Sequence, residues 1–258
     1  MKYQTLELTI EKNLAIIKFT RPDVLNSLNS LMRAELKDSL KHAETISRCI
    51  VLTGVDDIFC SGQDLGDGAN ISKVDLERTL REEYMPLLRA IYDCKVPIIS
   101  AVNGIAAGAG ANLALCTDIV IATESAFFVQ PFSKIGLIPD GGSSYFVPKN
   151  VGLARALGIA FFAEKVSALR AQEIGMIWEC VSDRDFEEHW RNRAKFLTKG
   201  PTQSFTRVRK VFRESFNNQF EEQIKLEAKF QGELGGTHDF KEGVLAFLQK
   251  RDPNFEGR

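Results

Sequence analysis

Short apolar runs alternate with longer segments of helical period along the first two thirds of the chain. The predicted strands are Thr5–Ile10, Leu14–Phe19, Cys49–Thr53, Pro97–Val102, Ile119–Ala122 and Ala126–Val129. The first two strands are separated by a short turn, whereas helical patterns separate several of the later ones. This alternation predicts parallel crossover units and an α/β core.

Residues at helical spacing predict a long helix that begins after Asn29 or Ser30 and ends near residue 46. A second long helix is predicted over residues 75–93, with a kink at Pro86, because proline removes a backbone donor. The polar, Gly-rich stretch Ser61–Ser72 between these helices is predicted to be a loop.

The pattern becomes almost entirely helical beyond residue 150, where only Met176–Val181 looks extended. The helices predicted there are Val151–Phe162, Ala168–Gly175, Asp185–Thr198, Pro201–Phe216, Phe220–Gly232 and His238–Gln249. The last three of these helices form a predicted C-terminal region over residues 201–258, which follows a core over residues 1–200.

Composition narrows the class of protein. The chain has 258 residues and a net charge of -1, so it shows no basic excess typical of a nucleic-acid binder. No apolar run reaches the roughly 18 residues of a membrane helix, and the N-terminus lacks the apolar core of a signal peptide. Five scattered cysteines, without metal-ligand spacing, favour free thiols and a cytoplasmic location.

Three Gly-rich segments follow predicted strands: Phe59–Leu65, Asn103–Leu113 and Ile135–Gly142. Small residues allow a ligand to approach the backbone, and loops after parallel strands commonly bind ligands. For any one segment, tight packing of a helix on the sheet is an equally good interpretation. The dinucleotide fingerprint fails because Leu113 stands where a third small residue is needed, and neither a phosphate loop nor a nucleophile elbow is present.

Together with Thr20–Leu28, Lys95–Gly104 and Cys116–Ala122, these segments resemble the motifs of the crotonase (enoyl-CoA hydratase/isomerase) superfamily in order and spacing. The resemblance implies an α/β spiral of ββα units with a helical C-terminal region that completes a trimer or hexamer interface. It also implies an acyl-CoA thioester as the ligand. No metal or other cofactor is expected, since CoA enters with the substrate.

The resemblance also implies site residues. Two backbone N–H groups would hold the thioester oxygen, and the matching positions are Gln63 and Ala109. Ala109 is expected at a helix N-terminus, where the N–H groups are free. Gly108 and Gly110 would keep the path to these donors open.

Further positions match the family's substrate-binding residues. Along the CoA path these are Val24, Gln63, Asp64 and Leu65, and near the acyl group they are Phe132 and Pro139. For Asp64, capping of its loop is an equally good interpretation. The terminal pair Lys250-Arg251 is interpreted either as a contact for CoA phosphates or as a solvated helix end.

The type of reaction depends on carboxylates. Hydratases of this superfamily use two glutamates, and the matching positions are Asn112 and Phe132, neither of which can act as a base. Asp140 matches the catalytic aspartate of several isomerases, and one base suffices to move a proton between two carbons. Apolar neighbours such as Leu137 and Ile138 would raise its pKa. The alternative is that Asp140 only opens the turn before two glycines.

Within the superfamily, the stretches Ala106–Ala111, Phe132–Asp140, Gly175–Trp178 and Glu242–Leu248 most resemble the 1,2-epoxyphenylacetyl-CoA isomerases. Such enzymes convert a ring epoxide to an oxepin-CoA, and a related activity shifts a double bond. A straight-chain Δ3,Δ2-enoyl-CoA isomerase and an enoyl-CoA hydratase remain alternatives. A non-catalytic acyl-CoA binder and an RNA-binding protein are disfavoured by Asp140 and by the nearly neutral charge, respectively.

Overall fold

The computed structural model describes residues 2–66 and 75–258. The end of the stretch Ser61–Ser72, predicted as a loop, lies outside the described residues. Strands and helices are numbered along the chain. Within the described ranges, the larger sheet contains, in spatial order, β1 (Leu6–Glu11), β2 (Leu14–Phe19), β3 (Cys49–Gly54), β5 (Ile98–Val102), β7 (Ile119–Thr123) and β10 (Glu179–Val181).

The strands of this sheet are parallel except at one edge, where β1 and β2, predicted as two strands around a short turn, form an antiparallel pair. β3 and β5 are buried along their whole length, which explains their continuous apolar sequences. The extended segment predicted over Met176–Val181 is shorter in the structure, because only β10 pairs with the sheet.

A smaller sheet contains β4 (Ile58–Cys60), β6 (Ile105–Ala107), β8 (Phe127–Val129) and β9 (Val166–Ser167). β4, β6 and β8 are parallel, and each follows a strand of the larger sheet. A helical segment then leads to the next pair of strands, so the predicted spiral of ββα units is confirmed. β4 and β6 were not predicted, because they have three residues each and lie beside or within Gly-rich stretches.

The first two helical regions agree with the sequence pattern. α1 (Ser30–Ile46) begins after Asn29, whose side chain accepts a hydrogen bond of 2.8 Å from the Met32 N–H. α2 (Leu76–Thr79) continues through a π-helical turn into α3 (Met85–Tyr92). Pro86 lies in the first turn of α3, directly after this π-helical turn, and the kink predicted there stays a prediction.

Helices of the middle region differ partly from prediction. They are α4 (Ala109–Leu115), α5 (Ser143–Val151), α6 (Leu153–Phe162), α7 (Ala168–Glu173) and α8 (Phe186–Lys199). α5 was missed because it contains Pro148, and the helix predicted from Val151 instead starts after Gly152. Gly152 has a φ of 80°, a backbone conformation that glycine adopts without strain, and it separates α5 from α6.

The C-terminal region consists of α9 (Thr202–Glu214), α10 (Phe220–Gly235) and α11 (His238–Gln249). Several large apolar side chains on and beside these helices face solvent in the single chain, including Phe216, Phe220 and Phe247. No helix in the described part of the chain is both long and apolar enough to cross a membrane. The expected role of this region in a subunit interface stays a prediction.

Candidate active site

The first and second Gly-rich segments lie backbone against backbone. A Cβ placed on Gly62 would lie 2.8 Å from the carbonyl oxygen of Ala107 and 3.3 Å from the nitrogen of Ala109. A Cβ on Gly110 would lie only 2.3 Å from the carbonyl oxygen of Cys60. Glycine is therefore required at both positions for the two segments to approach, and this brings Gln63 beside the start of α4.

The main-chain N–H groups of Gln63 and Ala109 are left free by the surrounding hydrogen bonds. The Leu28 N–H donates to the Gly62 carbonyl at 2.7 Å, and the Leu28 carbonyl accepts from the Asp64 N–H at 3.2 Å. These two hydrogen bonds involve the residues on either side of Gln63 and do not use the Gln63 N–H. Ala109 is the first residue of α4, as expected, and its N–H has no partner within the helix. Among residues 2–66 and 75–258, neither N–H group has a protein acceptor.

The side chain of Gln63 is held by a buried cluster. Its Oε1 accepts a hydrogen bond of 2.6 Å from the Tyr84 hydroxyl and one of 2.9 Å from the Arg33 guanidinium. Arg33 is 3% exposed and also pairs with Glu83 at 2.7 Å. Partial burial opposes ionisation of Glu83, but the bond and the charge from Arg33 outweigh it and lower the Glu83 pKa. The cluster therefore fixes the Gln63 side chain and, with it, the first Gly-rich segment.

Asp140 lies in the third Gly-rich segment, between the 3₁₀ turn Pro131–Ile135 and α5. Its main-chain carbonyl accepts hydrogen bonds from the Asn112 side chain at 2.8 Å and from the Ser143 N–H at 3.0 Å. Burial raises the pKa of the Asp140 carboxyl to about 6. Burial also raises the pKa of Tyr84, and the Asp140 charge contributes in the same direction. The Asp140 carboxyl is therefore partly withdrawn from water, and its charge reaches the Tyr84 hydroxyl.

The expected shift of the Asp140 pKa is confirmed in direction, but its expected cause is partly wrong. Ile138 is 79% exposed and Leu137 is also exposed, so these side chains do not form a buried apolar wall. Phe132 is buried, and its ring lies 3.7 Å from where a Cβ on Gly108 would be. Gly108 has a φ of 49° and lets this ring pack over the start of α4.

The residues expected along the substrate path occupy different environments. Val24 and Leu65 are exposed, and Pro139 is half-buried. Asp64 accepts hydrogen bonds of 3.0 Å from both Arg21 and the Gly66 N–H. These contacts agree with the interpretation that Asp64 caps its loop. Partial burial opposes its ionisation, but these contacts outweigh the burial and lower the Asp64 pKa.

The terminal Lys250-Arg251 pair fits the helix-end interpretation better. Arg251 donates to both carboxylate oxygens of Glu242, at 2.6 and 2.8 Å. Its guanidinium is therefore already paired with an acidic side chain of the same chain. Lys250 is the exposed C-cap of α11.

Clusters of metal ligands and reactive thiols are two further features that could carry chemistry. No group of three or more His, Cys, Asp or Glu in the described ranges could hold a metal ion. Cys60, beside Gly110, is a free thiol whose pKa burial raises to about 12, so it stays protonated near neutral pH.

Sequence reasoning missed three polar residues at the site: Arg33, Tyr84 and Gln130. Gln130 is 1% exposed, and its side-chain amide donates a hydrogen bond of 2.6 Å to Asn112. A polar residue that ends the apolar run of β8 is a weak signal that could have identified it. Arg33 and Tyr84 follow ordinary helical patterns and carry no such signal.

The chain is similar to known proteins over nearly its whole length. The profile of the enoyl-CoA hydratase/isomerase family matches residues 9–258. A Rhodobacter capsulatus protein named a probable enoyl-CoA hydratase is 54% identical over 258 residues, which cover 100% of both chains. The 1,2-epoxyphenylacetyl-CoA isomerase of Escherichia coli is 42% identical over 256 residues, covering 96% of this chain and 97% of that protein. A solved enoyl-CoA hydratase from Polaromonas gives a TM-score of 0.91 at 28% identity, covering 97% of this chain and 99% of that one.

Proposed function

The chain belongs to the enoyl-CoA hydratase/isomerase family, and we propose that within this family it is an acyl-CoA isomerase with Asp140 as its single base. The hydrogen bond from Asn112 to the Asp140 carbonyl carries this proposal. Where hydratases of the family have a glutamate, this chain has an amide, and that amide holds the turn that bears the Asp140 carboxyl. Phe132 stands at the second glutamate position and cannot exchange protons.

The thioester oxygen would accept hydrogen bonds from the main-chain N–H groups of Gln63 and Ala109. Two observations support this assignment: the segments that carry them touch at Gly62, and neither N–H has an acceptor among the described residues. Removal of a proton next to the thioester builds negative charge on that oxygen. Preorganised donors stabilise the charge, and loss of one such donor typically costs about 3 to 4 kcal/mol.

In the double-bond shift, the proton would move in two steps. Ionised Asp140 takes a proton from the carbon adjacent to the thioester carbonyl, and the electron pair of the broken C–H bond forms the enolate. The same carboxyl then returns the proton to a carbon further along the conjugated system, so the double bond shifts and Asp140 is regenerated. A pKa of about 6 suits it to both steps near neutral pH. The substrate is neither oxidised nor reduced, so no redox cofactor is needed, and the two N–H donors would stabilise the enolate oxygen in place of a metal ion.

The proposed substrate is a 1,2-epoxyphenylacetyl-CoA, converted to an oxepin-CoA, or an unsaturated acyl-CoA whose double bond is shifted. The 42% identity to an isomerase of that name supports this class of substrate. Phe132 and Pro139 would line the acyl group, while Val24, Asp64 and Leu65 would lie along the CoA moiety. A straight-chain Δ3,Δ2-enoyl-CoA isomerase would use the same groups.

The second candidate function is enoyl-CoA hydration. The observation in its favour is the 54% identity to a protein named a probable hydratase. Hydration must deprotonate water and protonate carbon, and Asn112 and Phe132 supply neither proton acceptor nor donor.

We further propose that the protein is a homo-trimer or hexamer in the cytoplasm. Exposed phenylalanines of the C-terminal helices, such as Phe220 and Phe247, would be covered by neighbouring subunits. The free thiols of its cysteines suit a reducing compartment.

The test is a turnover assay of the wild type and Asp140→Asn with crotonyl-CoA, 3-hexenoyl-CoA and enzymatically generated epoxyphenylacetyl-CoA. Asp56→Asn is the matched control, because Asp56 is exposed in a turn at a φ of 51° that asparagine also tolerates. We expect isomerisation by the wild type and the control, its loss in Asp140→Asn, and little hydration by any of them. Strong hydration of crotonyl-CoA that survives Asp140→Asn would identify a hydratase instead. Absence of turnover with every thioester would favour an acyl-CoA binder.

A further inference from the structure

A chain of buried side-chain amides leads to the main chain of Asp140. Gln130 Nε2 donates to Asn112 Oδ1 at 2.6 Å, and Asn112 Nδ2 donates to the Asp140 carbonyl oxygen at 2.8 Å. Asn112 is 0% exposed and Gln130 is 1% exposed, so water does not compete for these hydrogen bonds. Such bonds are well suited to hold a loop in one position.

The direction of this chain follows from chemistry. A carbonyl oxygen only accepts hydrogen bonds, so Asn112 must present its NH₂ group to Asp140 and its oxygen to Gln130. Gln130 must in turn present its own NH₂ group. An ionised carboxylate at position 112 has no donor for the Asp140 carbonyl, and its charge would repel that oxygen.

Asn112 also joins the two halves of the site. It lies one turn after Ala109 in α4, and its N–H donates to the Gly108 carbonyl at 3.0 Å. A Cβ placed on Gly141 would lie 3.4 Å from the Cβ of Asn112, so the turn after Asp140 packs directly on this side chain. One residue thus contacts both the helix that carries a proposed oxyanion donor and the turn that carries the proposed base.

The buried side chain of Gln130 carries an energetic cost. Its Oε1 is buried without a hydrogen-bond partner in the part of the chain that the structure describes. A buried unpaired acceptor typically costs about 1–3 kcal/mol, and an apolar side chain of similar size would remove it only by leaving the buried Asn112 Oδ1 without its donor. Packing alone therefore does not explain this glutamine, whereas its hydrogen bond to Asn112 does.

We propose that Asn112 and Gln130 are positioning residues that set the distance between the Asp140 carboxyl and the thioester bound at Ala109. This inference rests on the proposed isomerase activity. Displacement of a reacting group by about 1 Å can lower a rate about 100-fold, so a loosened turn would reduce turnover more than substrate binding.

The test compares Asn112→Ala and Gln130→Met with wild type, using Asn192→Ala on the exposed face of α8 as a matched control. For Asn112→Ala we expect kcat to fall about 10- to 100-fold while KM changes less than about threefold. The acidic limb of its pH profile should also move to lower pH, because the freed carboxyl gains water. For Gln130→Met we expect kcat to fall about 5- to 20-fold with little net change in thermal stability, because the unpaired Gln130 acceptor is removed while the buried Asn112 Oδ1 loses its donor.

Two results would overturn the positioning role. One is a wild-type kcat and pH profile in both variants, and the other is a loss of activity that merely follows the folded fraction measured by thermal unfolding. If Asn112→Ala does not fold, Gln130→Met decides by the same criteria. Asp140→Asn distinguishes failure of the proposed function from failure of this inference. Full activity of Asp140→Asn refutes Asp140 as the base. An inactive Asp140→Asn together with a fully active Asn112→Ala refutes only the positioning role.

Discussion

The Tyr84 hydroxyl donates a hydrogen bond of 2.6 Å to the side-chain oxygen of Gln63, and Arg33 donates to the same oxygen at 2.9 Å. Gln63 is therefore fixed through its side chain, while its main-chain N–H has no acceptor among residues 2–66 and 75–258. The guanidinium of Arg33 also lies 4.9 Å from the centroid of the Tyr84 ring, so the two donors support each other. This cluster gives the first Gly-rich segment a rigid base.

Removal of the Tyr84 hydroxyl should weaken that rigidity without an unfolding of the protein. For Tyr84→Phe we expect a decrease of about 1 kcal/mol in the free energy of unfolding, typical of one hydrogen bond. We also expect kcat/KM to fall several-fold, because the Gln63 N–H becomes less well placed. Tyr3→Phe is the matched control, since it removes a hydroxyl that donates to Asp38 at 2.9 Å. Equal kcat/KM in the two variants would contradict a catalytic consequence.

The pH dependence of activity should follow the ionisation of Asp140. Only the ionised carboxyl can accept a proton, and its pKa in the folded protein is about 6. We therefore expect kcat/KM to rise as the pH increases through about 6 and to level off above it. A profile of initial rates from pH 4.5 to 8 checks this. A profile that stays nearly level down to pH 4.5, as an ordinary aspartate pKa of 3.8 would give, would mean that Asp140 is not the base.

The same pKa implies a cost in stability. The unfolded chain ionises Asp140 near 3.8, whereas the folded protein does so near 6. Below pH 3.8 both states bind the proton and there is no penalty, but the folded state loses stability as the pH rises through 6. A shift of this size corresponds to about 3 kcal/mol, which we discount to about 1–2 kcal/mol because the carboxyl keeps some contact with water.

Asp140→Asn should therefore be more stable than wild type at pH 7.5, and this advantage should shrink towards pH 4. Urea unfolding at the two pH values measures the difference, with Asp56→Asn as the control. An advantage that is the same at both pH values would show that ionisation of Asp140 is not its source.

Gly110→Ala should disrupt the site through its backbone. The new Cβ would lie 2.3 Å from the Cys60 carbonyl oxygen, so α4 must move and take the Ala109 N–H with it. We expect a loss of about 1–3 kcal/mol in the free energy of unfolding and a strong reduction of kcat. In Gly232→Ala, on α10, the new Cβ meets nothing within 4 Å, so we expect it to stabilise the helix by about 0.5–1 kcal/mol. Normal activity in Gly110→Ala would contradict the tight contact between the two segments.

An acidic residue on the exposed face of α11 should interfere with subunit assembly. Phe247 is 82% exposed in the single chain, and we expect Phe247→Asp to shift the protein from a trimer or hexamer of 28.8 kDa chains to smaller species. Light scattering after size-exclusion chromatography measures the mass. Lys241→Asp, also exposed on α11, is the control. A monomeric wild type would refute the proposed interface.

Much of the fold could be predicted because its signals are local. The apolar runs that form β1 and β2, the cap at Asn29 and the period of α1 each lie within one element, and the structure confirms them. β4 and β6 could not be predicted from period, because three residues are too few to show an alternation. They form because the spiral places them beside each other.

By itself, the sequence determined the family, and through the resemblance to that family it implied the spiral of ββα units and Asp140 as the candidate base. The spacing of glycines and the period of apolar residues can be seen along the chain, and the fold contains the elements that they predict. Only the tertiary structure decided which side chains hold the site. Gln130 reaches Asn112 across 18 residues, Asn112 reaches Asp140 across 28, and Tyr84 reaches Gln63 across 21. Hydrogen bonds over such separations depend on how the strands and helices pack, and no local pattern encodes them.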